Sequence, residues 1–296
     1  MLGVNPIPLM QNIITLDFSR PPSDGFVSSV PISEAIEELI IAKRERGRRE
    51  KYLAGLRSYL IAFAKGREDL PVARFCSDDI DRWFSIRREK PVTRNSNLGR
   101  LSSLFGFARR KKWCLGNICQ EIEKGYVEKS APKILTVDQC RLLMNRAREL
   151  EPTTIPYFAL ALFMGIRPEE IQKLSTIDLG RGVVEISSAV SKTRQRRLVT
   201  INPTALEWLK LNPVLPIINF RRKFRRVRFD LVRKKWVPVI PWHGDILRHT
   251  AASMLYAQHG AVYTSKELGH SETILFANYR ELVTPQDSAS FWQIHP

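Results

Sequence analysis

Hydrophobic residues recur at helical spacing through the first part of the chain and predict four amphipathic helices. The first helix is predicted from Ser33 as its N-cap, the third from a cap at Ser77, and the fourth from Thr93. The apolar positions are Ile36, Leu39 and Ile40; Tyr52, Leu56, Tyr59, Leu60 and Phe63; Ile80, Trp83, Phe84 and Ile86; and Leu98, Leu101, Leu104, Phe105 and Ala108. Four such helices can share one core, so the pattern indicates a compact helical bundle.

The periodic pattern is interrupted in two places, and these interruptions divide the chain. Residues 1–29 carry several prolines and small polar residues without a sustained period, which predicts a poorly ordered leader. Residues 124–133 contain Gly125, Ser130 and Pro132 and predict a linker. The predicted domains are therefore a helical unit at 30–123 and a second unit at 134–296.

In the second unit, helical patterns surround two short strands. Thr136 and Gln139 are typical of a capping box, and an almost wholly apolar segment predicts a buried helix that ends at Gly165. The predicted helices are at 136–147, 155–164, 169–174, 204–209 and 220–232, and the predicted strands are at 183–186 and 197–201. The predicted fold class is mainly α with a small antiparallel β-sheet, in two domains.

The balance of charge indicates a polyanionic partner. The chain has 47 Lys and Arg residues against 30 Asp and Glu residues, a net charge of +17 over 296 residues. Nucleic acid is favoured over an anionic membrane surface, because the sequence shows no basic amphipathic helix beside an anchor or lipidation site. Apolar runs are too short for a membrane span and the N-terminus does not resemble a signal peptide, so we expect a cytoplasmic protein with no membrane partner.

The cysteines do not indicate a disulfide framework or a structural zinc site. Cys76, Cys114, Cys119 and Cys140 form no C-x-x-C pair and have no histidine at zinc-finger spacing. We interpret them as ordinary reduced thiols.

Basic residues concentrate after Phe220. The run consists of Arg221, Arg222, Lys223, Arg225, Arg226, Arg228, Arg233, Lys234 and Lys235. Phe220, Phe224 and Val227 recur at helical spacing and would hold one face on the core, so we interpret the segment as a helix that follows DNA phosphates. Further DNA contacts are predicted at Arg87, Arg88, Lys90, Arg94 and Arg100, which would form an opposing wall, and at Arg194 and Arg196 in the predicted hairpin.

Four residues of the second predicted unit, three of them near the end of the sequence, have the chemistry needed to break a phosphodiester without a metal. Arg167 and Arg248 carry planar, permanently charged guanidinium groups that match pairs of phosphate oxygens and can neutralise a pentacoordinate phosphorus. Tyr279 can act as a covalent nucleophile, with His270 nine residues before it. Because a phenol titrates near pH ~10, a neighbouring group must take the proton or stabilise the phenolate.

The order of these motifs resembles the tyrosine recombinase (phage integrase) family. The matching residues are Gly165-Ile166-Arg167-Pro168-Glu169-Glu170, then Lys192, then Leu247-Arg248-His249-Thr250-Ala251-Ala252-Ser253, then Leu268-Gly269-His270, and finally Tyr279. The intervals of 22 residues from Arg248 to His270 and nine from His270 to Tyr279 also match. The resemblance covers about residues 33–296, because the helical bundle is similar to the family's SAM-like core-binding domain.

The resemblance implies a site-specific DNA recombinase or integrase that needs no metal and no other cofactor. It implies that Arg167 and Arg248 clamp the phosphate while Tyr279 forms a 3′-phosphotyrosyl link and releases a 5′-hydroxyl. Lys192 would donate a proton to the leaving 5′ oxygen, and His270 would contact the phosphate or the nucleophile. Glu170 either helps to orient Arg167 or is an ordinary glutamate at a helix N-terminus.

The resemblance also implies partners. These are double-stranded DNA and further copies of the chain, as a tetramer on two DNA sites and as a monomer or weak oligomer without DNA. A type IB topoisomerase shares the chemistry, but the bundle before the linker favours a recombinase. The apolar tail around Phe291 and Trp292 either folds back on its own domain or docks on a neighbouring subunit.

The sequence departs from the family pattern at Asp245, where histidine or lysine is usual. A carboxylate there repels a phosphate, so either it turns away to pair with an arginine or the chemistry is slowed. His243 is a possible replacement, and His249 is interpreted as a supporting hydrogen-bonding residue. A metal site formed by these three residues is disfavoured because their spacing matches no metal motif. The alternative function is a sequence-specific DNA-binding protein with weakened or lost catalysis.

Overall fold

The structure is a computed structural model that describes residues 30–128, 131–191, 196–269, 271–279 and 282–296. The predicted leader at 1–29 lies outside the described residues. The chain divides into two compact units, one ending at Lys129 and the other beginning at Ser130. Within the described residues no helix is both long enough and apolar enough to span a bilayer.

The first unit is a bundle of four helices around one apolar core. They are α1 (Ile32–Glu45), α2 (Glu50–Ala64), α3 (Ser77–Arg87) and α4 (Pro91–Arg110). Most residues of the predicted apolar faces meet in this core, in which Leu60, Phe63 and Phe105 are almost fully buried, but Tyr52 and Ile86 are exposed. Trp83 donates its indole N–H to the hydroxyl of Tyr59 at 2.9 Å, which satisfies a polar group inside an aromatic cluster.

The starts of three helices in this unit differ from the prediction. Ser33 does not cap α1, because the helix begins one residue earlier and its hydroxyl donates to the carbonyl of Glu68. Ser77 is the first residue of α3 rather than its cap, and Asp79 accepts a hydrogen bond from the backbone N–H of Cys76. Helix α4 begins at Pro91, two residues before the predicted start, because proline suits the first helical position.

Part of the predicted linker is attached to the first unit. The side chain of Asn95 donates to the carbonyl of Gly125 at 2.8 Å and accepts from its backbone N–H at 2.9 Å. This reciprocal pair holds the start of the 124–133 segment against α4.

The second unit contains eight helices and four strands among its described residues. The helices are α5 (Val137–Leu150), α6 (Ile155–Leu162), α7 (Pro168–Ile171), α8 (Pro203–Leu211), α9 (Phe220–Arg228), α10 (Ile246–Leu268), α11 (Glu272–Tyr279) and α12 (Pro285–Trp292). The strands are β1 (Val183–Ile186), β2 (Arg197–Thr200), β3 (Phe229–Val232) and β4 (Lys235–Pro238).

Local sequence signals fix the first two helices of this unit. Thr136 accepts from the backbone N–H of Gln139, and the Gln139 side chain accepts from the backbone N–H of Thr136, as the predicted capping box requires. Every residue of α6 is buried, in agreement with its apolar sequence. A rigid, fully buried helix therefore leads directly to Gly165 and Arg167.

The single predicted sheet is two separate antiparallel hairpins. Strand β1 pairs with β2 as predicted, and the register places Val183 opposite Thr200. The predicted helix at 220–232 is wrong in its last four residues: α9 ends at Arg228, and Phe229–Val232 forms β3, which pairs with β4. The connecting residues Arg233 and Lys234 both have positive φ, which gives the tight turn of a two-residue hairpin.

The long helix α10 spans the second unit and changes direction once. Gly260 interrupts it with φ +75°, a conformation that glycine adopts at little cost. Near its end, Glu267 accepts hydrogen bonds from the backbone N–H and the hydroxyl of Thr200 at 2.9 and 3.0 Å. This contact ties the end of α10 to strand β2.

The C-terminal tail docks on its own unit within this chain. Phe291 is fully buried against Phe163, and the indole of Trp208 donates to the carbonyl of Ile294 at 2.7 Å. The hydroxyl of Ser288 donates to the carbonyl of Met254 in α10. Of the two arrangements left open by the sequence, the single chain adopts the one in which the tail folds back.

We predict that Phe291→Ala destabilises the second unit. Removing a buried aromatic side chain leaves a cavity and costs about 3–5 kcal/mol. The matched control is Ser290→Ala on the exposed side of α12, which should change stability by less than about 0.5 kcal/mol. Chemical denaturation of the two variants measures the difference, and equal midpoints would contradict the docking of the tail.

Candidate active site

Arg248 is buried at the start of α10 and joins two chain segments that are distant in sequence. Its side chain is 3% exposed and donates to the carbonyl of Gly165 at 2.5 Å and to the carbonyl of Leu268 at 2.6 Å. These carbonyls lie just after α6 and at the end of α10. A guanidinium presents several donors in a fixed plane, so two carbonyls can orient it while other N–H groups face elsewhere.

Gly165 allows this close approach. It has φ +62°, and a Cβ placed there would lie 2.4 Å from Cδ2 of Leu268, well inside van der Waals contact. Both the backbone conformation and the packing therefore require glycine. The Gly165-Ile166-Arg167 motif thus has two roles. The carbonyl of Gly165 orients Arg248, and the motif supplies Arg167 itself.

Arg167 shares a buried carboxylate with a second arginine. Arg167 is the N-cap of α7 and donates to Glu170 at 3.3 Å, whereas Arg197 donates to both Glu170 oxygens at 3.2 and 2.6 Å. The side chain of Glu170 is 1% exposed. A buried carboxylate needs several charge-assisted hydrogen bonds, and Glu170 obtains them from two cations at once.

Tyr279 ends α11 with its hydroxyl directed at His249. The hydroxyl lies 2.7 Å from Nδ1 of His249, and the tyrosine is 4% exposed. His249 follows Arg248 in the first turn of α10, so one helical turn supplies both a buried cation and the partner of the phenol. The supporting residue predicted at 249 therefore contacts the candidate nucleophile directly.

The electrostatic environment links these groups. Burial raises the pKa of Tyr279 above its usual value, Asp245 adds to this shift, and the charges of Arg248 and Arg167 oppose it. Burial, together with the charges of Arg167 and Arg197, lowers the pKa of Arg248 to about 9, so this side chain remains charged at neutral pH. Burial also lowers the pKa of His249, opposed by Asp245. The site at neutral pH therefore contains charged arginines, a protonated phenol and a neutral imidazole.

Asp245 and His243 lie at the surface before α10. Asp245 is the N-cap residue of the helix, its side chain is exposed, and it makes no capping hydrogen bond. His243 is also exposed, and its carbonyl accepts from the backbone N–H of Ile246. Across the described parts of the chain, no group of three His, Cys, Asp or Glu side chains is arranged to hold a metal ion.

Three predicted residues, Lys192, Arg194 and His270, lie outside the described residues. Of the residues beside them, Ser191 is buried in the connection between β1 and β2, and Gly269 has φ +64° as the C-cap of α10. A Cβ on Gly269 would lie 3.5 Å from Cδ of Arg197. Gly269 of the Leu268-Gly269-His270 motif therefore lies beside Arg197, the arginine that holds Glu170.

The basic run divides into core-facing and solvent-facing residues. Arg228 is partly buried over the ring of Trp242 at 3.9 Å, whereas Arg226 is exposed and pairs with Glu151 at 2.5 Å. Arg221, Arg222 and Arg225 are exposed on α9, with Arg225 over the ring of Trp236. Arg196, beside β2, is exposed and pairs with Glu185 at 2.9 Å. The predicted phosphate-tracking face therefore consists chiefly of the exposed arginines of α9.

The predicted basic residues of the first unit cluster around the end of α3 and the start of α4. Arg88 and Lys90 are exposed in the connection. Arg87 pairs with Glu89 at 2.6 Å, and Arg94 pairs with Asp81 at 3.2 Å. Arg100 lies over the ring of Tyr59. Aromatic rings and carboxylates therefore hold three of these cations in place, namely Arg87, Arg94 and Arg100.

Arg197 is the residue whose position the sequence analysis did not identify. In the sequence it is one of several cations around the predicted hairpin and was identified only as the first residue of the strand at 197–201. In the structure its side chain is 11% exposed and forms the shorter of the two ion pairs with Glu170, at 2.6 Å against 3.3 Å for Arg167. The sequence offered one signal for this role: Arg197 is the first residue of a predicted strand and shares a strand face with Val199, which is buried.

Comparisons with known proteins identify the fold. No family model matches the sequence, and no curated protein matches it in sequence. The structure is similar to a lambda integrase dimer bound to a COC′ core site, with a TM-score of 0.66 and 17% identity over 86% of this chain and 98% of that chain. It is also similar to the Tn1549 transposon integrase in complex with a circular intermediate DNA, with a TM-score of 0.64 and 15% identity over 88% of this chain and 98% of that chain.

A third similar structure is a lambda integrase tetramer bound to a Holliday junction, with a TM-score of 0.63 and 16% identity over 83% of this chain and 77% of that chain. These likenesses establish that the chain has the fold of tyrosine recombinases. The resemblance seen in the motifs is confirmed at the level of the fold, and so is the predicted mainly helical class with antiparallel strands.

We predict that Gly165→Ala is more destabilising than Gly182→Ala. Both glycines have positive φ, which costs an alanine about 1–2 kcal/mol, but only the Cβ at 165 would overlap Leu268. Overpacking should add about 1–3 kcal/mol to the loss of unfolding free energy at 165. Denaturant unfolding measures the free energy of unfolding of both variants. Equal losses would show that the close packing of Gly165 against Leu268 does not contribute to stability.

Proposed function

We propose that the protein is a site-specific DNA recombinase of the integrase kind that cuts and rejoins DNA strands through Tyr279. The observation that carries this proposal is the buried tyrosine hydroxyl, 2.7 Å from His249 and within the electrostatic influence of Arg167 and Arg248. The fold shared with DNA-bound integrases supports it. The reaction needs these groups together, because a phenol attacks phosphorus only when negative charge is neutralised and its proton is removed.

The proposed reaction conserves the energy of the DNA bond. The oxygen of Tyr279 attacks the scissile phosphorus, a phosphotyrosyl ester forms with the 3′ phosphate, and the bond to the 5′ oxygen breaks. Arg167 and Arg248 stabilise the charge on the phosphoryl oxygens, and Lys192 supplies the proton that the leaving 5′ oxygen takes up. Attack by a 5′-hydroxyl then reverses these steps and seals a strand.

We further propose that the protein acts on double-stranded DNA as a tetramer across two sites. The net charge of +17 and the exposed arginines of α9 support DNA binding. The lambda integrase tetramer on a Holliday junction supports an assembly of this kind. The tail that folds back on its own unit in the single chain would have to change partner if it links subunits in that assembly.

The second candidate is a DNA-binding protein with weakened catalysis. The observation that favours it is the negative charge of Asp245, which raises the pKa of Tyr279 and so makes the phenolate harder to form. Both candidates require DNA binding, so only a covalent intermediate separates them.

We predict that the wild-type protein forms a covalent DNA adduct and that Tyr279→Phe does not. The substrate is a pool of nicked duplexes with a randomised core, in which the short strand released by cleavage diffuses away and traps the intermediate. The matched control is Tyr263→Phe, which removes an exposed hydroxyl from the same unit and should leave adduct formation unchanged. Denaturing gels measure the product. DNA binding without any adduct would favour the second candidate.

We predict that the exposed arginines of α9 contribute to the salt dependence of DNA binding. Replacing Arg221 and Arg222 with Gln should reduce the slope of log affinity against log salt by about 0.9 for each phosphate that the protein no longer neutralises. The control is Arg141→Gln, because Arg141 is exposed on α5 and already paired with Asp138. Titrations at several salt concentrations measure the slopes, and an unchanged slope in the double variant would exclude this face from the interface.

A further inference from the structure

The hydroxyl of Tyr279 needs a specific proton acceptor. Burial raises its pKa above the usual value, so the phenol is protonated at neutral pH and water has little access to it. The imidazole of His249 lies within hydrogen-bond distance of this hydroxyl, at 2.7 Å through Nδ1. An acceptor at that distance is within the range required of a general base.

His249 is suited to accept this proton. Burial lowers its pKa, so the imidazole is neutral at physiological pH and one ring nitrogen carries a lone pair. Among the described residues, the charged and titratable groups that act on it are Asp245 at the N-cap of α10, Arg248 in α10 and Tyr279 in α11. Of these, Arg248 disfavours a positive imidazole and Asp245 favours it.

Asp245 lies one helical turn before His249. The backbone N–H of His249 donates to the carbonyl of Asp245 at 2.9 Å, and side chains four residues apart share a helix face. The Asp245 carboxylate makes no capping bond, and its charge raises the pKa of His249. A carboxylate cannot donate a proton to phosphate when ionised, but it can stabilise a cation beside it.

We propose that His249 is the general base that takes the Tyr279 proton through Nδ1, and that Asp245 is a positioning residue that stabilises the resulting imidazolium. This inference rests on the function proposed above. It gives the unusual Asp245 a role, because the carboxylate supports a base one turn further along the helix instead of contacting the phosphate itself.

The proposed step is balanced. As the bond between the Tyr279 oxygen and phosphorus forms, the phenolic proton moves to Nδ1 of His249, and Nε2 keeps its own proton. The bond from phosphorus to the 5′ oxygen breaks, and that oxygen takes its proton from the general acid. In the rejoining step the imidazolium returns its proton to the tyrosine oxygen as the 5′-hydroxyl attacks.

The first experiment uses the DNA-free protein. Nitrogen-15 NMR of the five histidines, assigned with His249→Asn, reports which ring nitrogen of His249 is protonated. The proposal predicts that Nδ1 is unprotonated at pH 7 and that its signal shifts in Tyr279→Phe. It also predicts a further decrease in the pKa of His249 in Asp245→Asn. Protonated Nδ1 in the neutral ring would overturn the assignment, because His249 would then be the donor.

The second experiment measures the rate of adduct formation against pH, on duplexes recovered from the randomised pool. For the wild type we expect a rate that rises with pH through the pKa of His249, below ~6.5, and is then level. His249→Asn keeps a hydrogen-bonding group but no base, so the rate at pH 7 should fall about 100-fold or more. Its rate should then keep rising toward high pH, where solvent removes the phenolic proton. A uniform decrease with an unchanged pH profile would show that His249 only orients the tyrosine.

A modified substrate separates the base from the acid of the reaction. When sulfur replaces the bridging 5′ oxygen, the leaving group no longer needs a proton. The defect of His249→Asn should persist on this substrate, because it concerns the nucleophile, and rescue would overturn the proposal. Asp245→His tests the positioning residue: we expect no increase in rate, and an increase of tenfold or more would show that the carboxylate is a handicap.

Failure of this inference can be distinguished from failure of the proposed function. If the wild type binds DNA but forms no adduct, the recombinase proposal fails whatever the NMR result. If the adduct forms and is abolished in Tyr279→Phe, while His249→Asn retains the wild-type rate and pH profile, the recombinase proposal stands and the role of His249 is refuted.

Discussion

The site depends on one buried cation, the guanidinium of Arg248. Its two hydrogen bonds to the carbonyls of Gly165 and Leu268 join the segment after α6 to the end of α10. Burying an isolated charge is costly, so this arrangement is stable only if the carbonyls and the nearby Glu170 remain in place. The same contacts that keep the cation buried also hold the segment that carries Arg167 against the C-terminal end of α10.

The buried carboxylate of Glu170 lies among the positive charges of this site. Glu170 is held by Arg167 and Arg197, so three guanidinium groups, counting Arg248, surround one carboxylate. In the proposed reaction, the phosphoryl oxygens of the DNA would balance this excess of positive charge. These charges also act on the phenol of Tyr279: Arg248 and Arg167 lower its pKa, and burial raises it. If the protein acts on DNA as proposed, the charge of the bound DNA would also change the pKa of Tyr279.

Much of the fold follows from local signals, and the exceptions have physical causes. The capping box at Thr136 and the strand at 183–186 were predicted because their signals are short-range. The helix at 220–232 was extended too far because Leu231 continues the apolar helical spacing. The turn at Arg233 and Lys234 also lacks the glycine or asparagine that usually marks a hairpin. The contact between His249 and Tyr279 joins residues thirty positions apart through the path of α11, which no local pattern encodes.

The most direct test is to identify the residue to which the DNA becomes covalently attached. After adduct formation on the nicked pool, nuclease and protease digestion followed by mass spectrometry would locate the nucleotide on a single peptide. We expect a nucleotide attached through its 3′ phosphate to Tyr279, within the peptide that contains this tyrosine. Attachment to a different residue, or through a 5′ phosphate, would contradict the central claim that this buried tyrosine is the nucleophile.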